Sequence, residues 1–127
     1  MVGELGIDVR ITGRLAQSEV PKFLAATDLG LIYMADDPAN QMRMSLKVLE
    51  YLAMELTVVG RLVGATKDAF APYCFACGPS EGSMASRIEE VLGEGARKPS
   101  ARELISSDYD WYVVGASLEK AVRSIEQ

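Results

Sequence analysis

Leu29-Gly30-Leu31-Ile32-Tyr33-Met34 is an unbroken apolar run, the pattern of a strand covered on both faces. Thr57-Val58-Val59 repeats it on a smaller scale, and residues 73–76 offer a further apolar strand closed by Cys77-Gly78-Pro79. Earlier in the chain, Ile7-Asp8-Val9-Arg10-Ile11-Thr12 alternates apolar with polar and stops at Gly13, which predicts one more strand and its exit turn. Helical patterns fill the intervals. One helix is predicted over residues 18–26, with Ser18 at the N-cap and Pro21 near the start, and another over about 45–54. A third starts at Ser80 and runs to about Leu92, and residues 35–44 are left as a loop. The remainder reads as helical over roughly 100–106 and 115–125, the last helix carrying Leu118, Val122 and Ile125 at helical spacing. Between these two, Tyr109-Asp110-Trp111-Tyr112 is an aromatic knot expected to pack the terminal helix onto the body.

Apolar strands alternating with helices predict parallel βαβ units: an α/β layered domain with a parallel sheet of about four strands and the C-terminal helices packed on it. The 127 residues suit one domain, with no internal repeat or linker. Apolar residues make up 49% and charged residues 24%, which is globular rather than disordered composition. A net charge of -5 argues against a nucleic-acid backbone as partner, because that affinity needs a basic surface. No run approaches the roughly 20 apolar residues of a membrane helix, and the N-terminus lacks a signal-peptide pattern, so a cytoplasmic location is expected. Cys74 and Cys77 form a lone C-x-x-C in a chain without histidine. A structural zinc site lacks its other ligands, and two reduced, partly buried thiols are expected.

Ligands of open α/β sheets bind at the carboxyl ends of the strands. Three predicted loops meet there: residues 13–15, 35–44 and 60–67. Gly13 lets a backbone approach closely and Arg14 adds a cation; the middle loop delivers Arg43 and then Ser45 to a helix start; the third holds Gly60, Gly64, Ala65 and Thr66, small residues that leave room for a ligand. The helix over 45–54 carries two charges that folding alone explains poorly. Lys47 lies in the first turn, beside the positive end of the helix dipole, where an acid would be preferred. Glu50 follows three residues on, among Leu, Val, Tyr and Ala. An anion held by the free N–H groups and Lys47 would explain the first charge, and a hydroxylated ligand reached by Glu50 the second. The competing reading is an i,i+3 ion pair between them worth a few tenths of a kcal/mol. By the same logic Gly13 is a plain strand-end turn, Arg14 and Arg43 are solvated cations, and Ser45 is an N-cap whether or not anything binds.

Leu46-Lys47-Val48-Leu49-Glu50-Tyr51-Leu52-Ala53-Met54, followed by Thr57-Val58-Val59-Gly60, resembles the helix-and-strand signature of GT-B-type glycosyltransferases, especially the family-four retaining group. Val9-Arg10-Ile11-Thr12-Gly13-Arg14-Leu15 resembles that family's strand ending in glycine, and Ala26-Thr27-Asp28-Leu29-Gly30-Leu31 its entry into the next strand. Asp110-Trp111 and the final helix resemble its C-terminal closing segment. The resemblance implies a Rossmann-like, three-layer domain: the C-terminal, nucleotide-sugar-binding half of an enzyme that moves a sugar from a nucleoside-diphosphate sugar to an acceptor hydroxyl. It implies that Glu50 accepts hydrogen bonds from the ribose, that backbone N–H groups at Ser45 and Leu46 hold the diphosphate, and that Gly13, Arg14 and Leu15 lie beside the base. Lys47 would stabilise the leaving phosphate, with Arg43 as a further cation. Neither a cofactor nor a metal is implied, and the adjacent Asp36 and Asp37 point apart if extended. The sequence departs from the family at Met42, where a first glutamate is common, and at Thr57, where proline is. The acceptor-binding N-terminal domain would be a missing partner, and the chain alone is expected to be inactive. A cut sheet edge is also a possible route to a homodimer. The rival class is a non-catalytic α/β binding or docking module that has lost its nucleotide site.

Overall fold

The two strongest apolar runs become adjacent, paired strands of the sheet. In the computed structural model, which describes residues 8–125, β1 (Leu29–Tyr33), β2 (Thr57–Arg61) and β3 (Phe75–Ala76) run parallel in the order β1-β2-β3. Leu29 stands opposite Thr57, Tyr33 opposite Arg61, and Val59 opposite Phe75. The central β2 buries Val58, Val59 and Gly60 in succession, the mark of a strand covered on both sides.

Three strands among the described residues, rather than about four, is a correction. Residues 8–12 have no regular structure, Val9 and Ile11 are exposed, and Ile7 lies outside the described residues. Alternation marks a strand only when a neighbouring ladder takes up the backbone groups, and no strand pairs with this segment.

The helices are α1 (Val20–Ala25), α2 (Pro38–Met42), α3 (Leu46–Ala53), α4 (Gly64–Phe70), α5 (Glu81–Glu94), α6 (Arg102–Asp108) and α7 (Trp111–Ile125). α1 begins after Glu19, not Ser18, and Glu19 accepts from the N–H of Ala16 at 3.3 Å. α2 occupies the expected loop. Its start is legible in hindsight, since Asp37 accepts from the N–H of Asn40 at 2.8 Å and Pro38 opens the first turn. α5 is capped by Ser80 and ends at Gly95, whose φ of 60° is the left-handed conformation glycine supplies freely.

One face of the sheet holds the main core. Val48 and Leu52 of α3, Val58 of β2, Phe70 of α4, Cys74 and Ala101 form a single buried cluster, with Leu104 and Ile105 of α6 and Tyr109 at its end against it. The rings of Phe70 and Tyr109 lie 5.3 Å apart at 51°. Val59 points to the other face, where α5 packs on β2 and Val91 is buried. The result is the expected three-layer, Rossmann-like α/β arrangement.

The C-terminal helices divide. α6 packs on α3, but α7 buries none of its residues. Trp111 is 81% and Tyr112 90% exposed, so of the aromatic knot only Tyr109 joins the core. The reason is local: Asp110 accepts from the N–H of Tyr112 at 2.8 Å and so starts α7 at Trp111, turning both rings outward. Among the described residues no helix is long and apolar enough to cross a membrane.

Candidate functional site

The start of α3 is built by a residue on another helix. The N–H of Ser45 donates to Thr66 Oγ1 at 3.0 Å, and the Thr66 hydroxyl donates to the carbonyl of Arg43 at 2.8 Å. Thr66, on α4, is fully buried. This clamp fixes the approach to α3 from a distance of more than twenty residues in sequence. Ser45 stands at the N-cap with extended backbone, but its side chain makes no capping bond, contrary to its expected role. The N–H groups of Leu46, Lys47 and Val48 therefore have no acceptor among the described residues. Such a helix start offers several donors and a partial positive charge to an anion.

Lys47 and Glu50 lie on the exposed side of α3, while Val48 and Leu52 take its buried side. Glu50 is thus in solvent, not lodged among apolar neighbours as its sequence context suggested. No ion pair joins it to Lys47 among the described residues, so the i,i+3 alternative does not form. Arg43 and Leu46 are also exposed and flank Ser45, which brings Arg43, Ser45, Leu46 and Lys47 together at one helix end.

The carboxyl edge of the sheet holds a separate feature. A cavity of about 450 Å³ opens there, walled by Asp36 and Gln41 from the middle loop, by Arg61 and Lys67, and by Cys77 and Pro79 beyond β3. Two of the three loops expected at the strand ends do line it. The third wall is the exit of β3, not residues 13–15, and neither Lys47 nor Glu50 reaches the cavity. Arg61 is held by Asp36 at 3.6 Å, donates to Tyr33 Oη at 3.3 Å, and lies 5.7 Å from the Tyr33 ring centre.

Gly13 and Arg14 are exposed, Leu15 is half-buried, and no hydrogen bond ties them to α3 among the described residues. Gly13 does need to be glycine for its φ of 68°. The small residues of residues 60–66 serve packing instead of leaving space. A Cβ on Gly60 would lie 2.2 Å from the carbonyl oxygen of Ile32, and one on Gly64 2.0 Å from that of Gln41. They let β1 approach β2, and α4 approach α2. Asp36 and Asp37 diverge as expected, one to Arg61 and the other into the α2 cap. Among the described residues no group of three or more His, Cys, Asp or Glu side chains could hold a metal.

Compared with curated proteins, the chain is 29% identical over 104 residues to a protein of Bacillus subtilis (strain 168) named "Putative teichuronic acid biosynthesis glycosyltransferase TuaH". The match takes in 79% of this chain but only 26% of that protein, so the chain spans about a quarter of the relative's length. No family model matches, and no solved structure matches. The likeness supports a glycosyltransferase-related role.

For a glycosyltransferase-related chain the two thiols are bystanders, and their environment agrees. Burial raises the Cys74 thiol from its ordinary 9.0 to about 11, against a smaller lowering by Lys98. Burial also raises Cys77, opposed by Arg87 and Arg61. Both are poor nucleophiles at neutral pH. Between pH 9 and about 11 the folded chain holds a proton on Cys74 that the unfolded chain has lost, so stability falls as pH rises through this window. Urea titrations at successive pH values should show a steeper decline for the parent than for Cys74→Ala. Equal slopes would contradict the buried-thiol account.

Proposed function

We propose that the chain is the nucleotide-sugar-binding part of a glycosyltransferase that moves a sugar from a nucleoside-diphosphate sugar to an acceptor hydroxyl. The observation that carries this reading is the start of α3, where the free N–H groups of the exposed Leu46 and Lys47 meet the Lys47 ammonium and an unpaired Glu50 stands one turn further on. The likeness to the Bacillus subtilis protein supports it.

On this reading the diphosphate sits at the N–H groups beyond Ser45, from Leu46 onward. Its negative charge grows as the sugar leaves, and donors fixed in advance stabilise that charge without reorganising. Lys47 adds a full positive charge at the same place, and Arg43 a second on the approach. Glu50 is one helical turn away and accepts from two vicinal hydroxyls of the ribose, which suits a carboxylate with two oxygens. The base falls to Gly13, Arg14 and Leu15. No metal or cofactor takes part. The acceptor is held by a domain outside this chain, so the chain alone turns nothing over.

Calorimetric titration with UDP, GDP and ADP, with and without EDTA, tests the reading. One of the three is expected to bind, independently of EDTA. Glu50→Ala should weaken that binding about 10- to 100-fold, the loss of one or two hydrogen bonds to a charged acceptor. No heat from any nucleotide, in a chain shown to be folded, would sink the proposal, and unchanged affinity in the variant would remove Glu50 from the site. Met42 favours the second reading, a non-catalytic binding module: an exposed apolar residue at the end of α2 stands where the resemblance places a carboxylate. Absence of nucleotide binding is the result that reading expects.

A further inference from the structure

Three residues between the end of β2 and the middle of α4 hold three points of the segment that leads into α3. Arg61, the last residue of β2, pairs with Asp36 at 3.6 Å. Gly64, the first residue of α4, lies against the backbone of Gln41, where a Cβ would meet the carbonyl oxygen at 2.0 Å. Thr66 completes the series by clamping Arg43 and Ser45. The order is the same in both segments, so residues 36–45 lie along residues 61–66 as along a template.

Arg61 is the charged member of that template, and its side chain is only 19% exposed. A cation so placed needs fixed partners. The Tyr33 hydroxyl, at the end of β1, accepts from it at 3.3 Å, and the Tyr33 ring centre lies 5.7 Å away. The same hydroxyl donates to the carbonyl of Pro79 beyond β3. The guanidinium is therefore fixed to the exits of all three strands. Asp36 gives one carboxylate oxygen to this cation and accepts from Gln41 Nε2 with the other. A single carboxylate thus joins the sheet to α2. Only Arg43, Met44 and Ser45 separate α2 from α3, so a displaced α2 displaces the α3 start.

We propose that Arg61 is a positioning residue of the α3 start: through Asp36 it sets α2, and through α2 it sets the N–H groups of Leu46 and Lys47, without touching the ligand. The proposal rests on the nucleotide reading of that helix end. Direct attraction of the diphosphate by Arg61 is the rival role, and the two differ in sign at Asp36. A carboxylate beside the cation repels an anion, so neutralising Asp36 would strengthen a direct attraction. It weakens an anchor, because the guanidinium then loses the charge that ties it to α2.

Calorimetric titration with whichever of UDP, GDP and ADP the parent binds separates the two roles. Arg61→Met keeps an unbranched apolar stem against Tyr33, and Asp36→Asn keeps the shape of the acid. Each should weaken binding about 3- to 10-fold, the worth of one net polar contact. The double variant should bind no more weakly than either single one, because both break the same anchor. A second readout needs no nucleotide. Deuterium exchange at the amides of Gln41 and Arg43 should quicken by about the same factor in both variants, while Leu49 and Lys67 keep the parent rate. Three results overturn the proposal: Asp36→Asn binding as tightly as the parent or tighter, losses that multiply in the double variant, or unchanged exchange at Gln41 and Arg43. A parent that binds no nucleotide ends the nucleotide reading and this proposal with it. A parent that binds, beside an Asp36→Asn variant that binds equally, leaves the reading intact and removes only the role of Arg61.

Discussion

Phe70→Ala is expected to lower the stability of the domain by about 3–5 kcal/mol, the range for deleting a fully buried aromatic ring. Phe70 is the largest side chain with no exposure at all, and it belongs to the single buried cluster of the main core. It joins α4 to the cluster that holds Val48 and Leu52 of α3 and Val58 of β2, and its ring meets Tyr109 at the end of α6. The other members of the cluster come from α3, β2 and the segments around Cys74 and Ala101, with α6 against them, so they have little freedom to collapse into the space left behind. With three strands and one main cluster, total stability belongs at the modest end of the usual 5–15 kcal/mol, and the variant should be largely unfolded at 37 °C. Urea titration followed by circular dichroism measures the loss. A shift under about 1 kcal/mol would mean that the core is not organised around this ring.

The parts of this core that sequence pattern predicted begin with its two apolar runs. Leu29 to Tyr33 and Thr57 to Val59 are both strands, but only the second is covered on two sides; β1 lies at the sheet edge with Leu31 and Tyr33 exposed, so its unbroken apolar run overstated its burial. α3 and α5 were also legible, since their apolar positions recur at helical spacing. Residues 8–12 show the limit of the same reasoning. Their alternation is genuine, but a strand is stabilised by its ladder, and the ladder partner is not encoded in the segment itself. α2 and the early start of α7 were missed for another reason. Asp37-Pro38 and Asp110-Trp111 carry capping signals in the side chain before the helix, while the apolar pattern begins only later.

Lys47 stood out in the sequence by its charge beside the positive end of a helix dipole, whereas the apolar context that singled out Glu50 is absent, because Glu50 lies on the solvent side of α3; the two make no ion pair with each other among the described residues. What could not be read was the cavity wall at Cys77 and Pro79, which forms only once β3 is aligned beside β2. The role of Thr66 was equally hidden. A threonine in a run of small residues looks like space for a ligand, and only the packing of α4 against the segment before α3 makes it a clamp.

That clamp gives the second large effect. Thr66→Val keeps the shape of the side chain but removes the hydroxyl, leaving the buried N–H of Ser45 and the part-buried carbonyl of Arg43 without their partner. An unsatisfied buried N–H costs about 1–3 kcal/mol and the part-buried carbonyl, which water can reach, about 1 or less, so a total loss of about 1–4 kcal/mol is expected. Thr66→Ser retains the hydroxyl and gives up one methyl, which should cost about 1 kcal/mol. The contrast between the two variants separates the hydrogen bonds from simple packing. It also bears on the α3 start, because Thr66 holds Ser45 immediately before the N–H groups of Leu46 and Lys47. If the proposed anion site depends on that alignment, Thr66→Val should bind nucleotide more weakly than the parent at a temperature where both are folded, although Lys47 and Glu50 are untouched, and Thr66→Ser should restore binding. Equal stability in the two variants would show that water replaces the hydroxyl without cost. Lost stability with unchanged nucleotide affinity would confine Thr66 to the fold and leave the orientation of α3 to its packing on Val58 and Phe70.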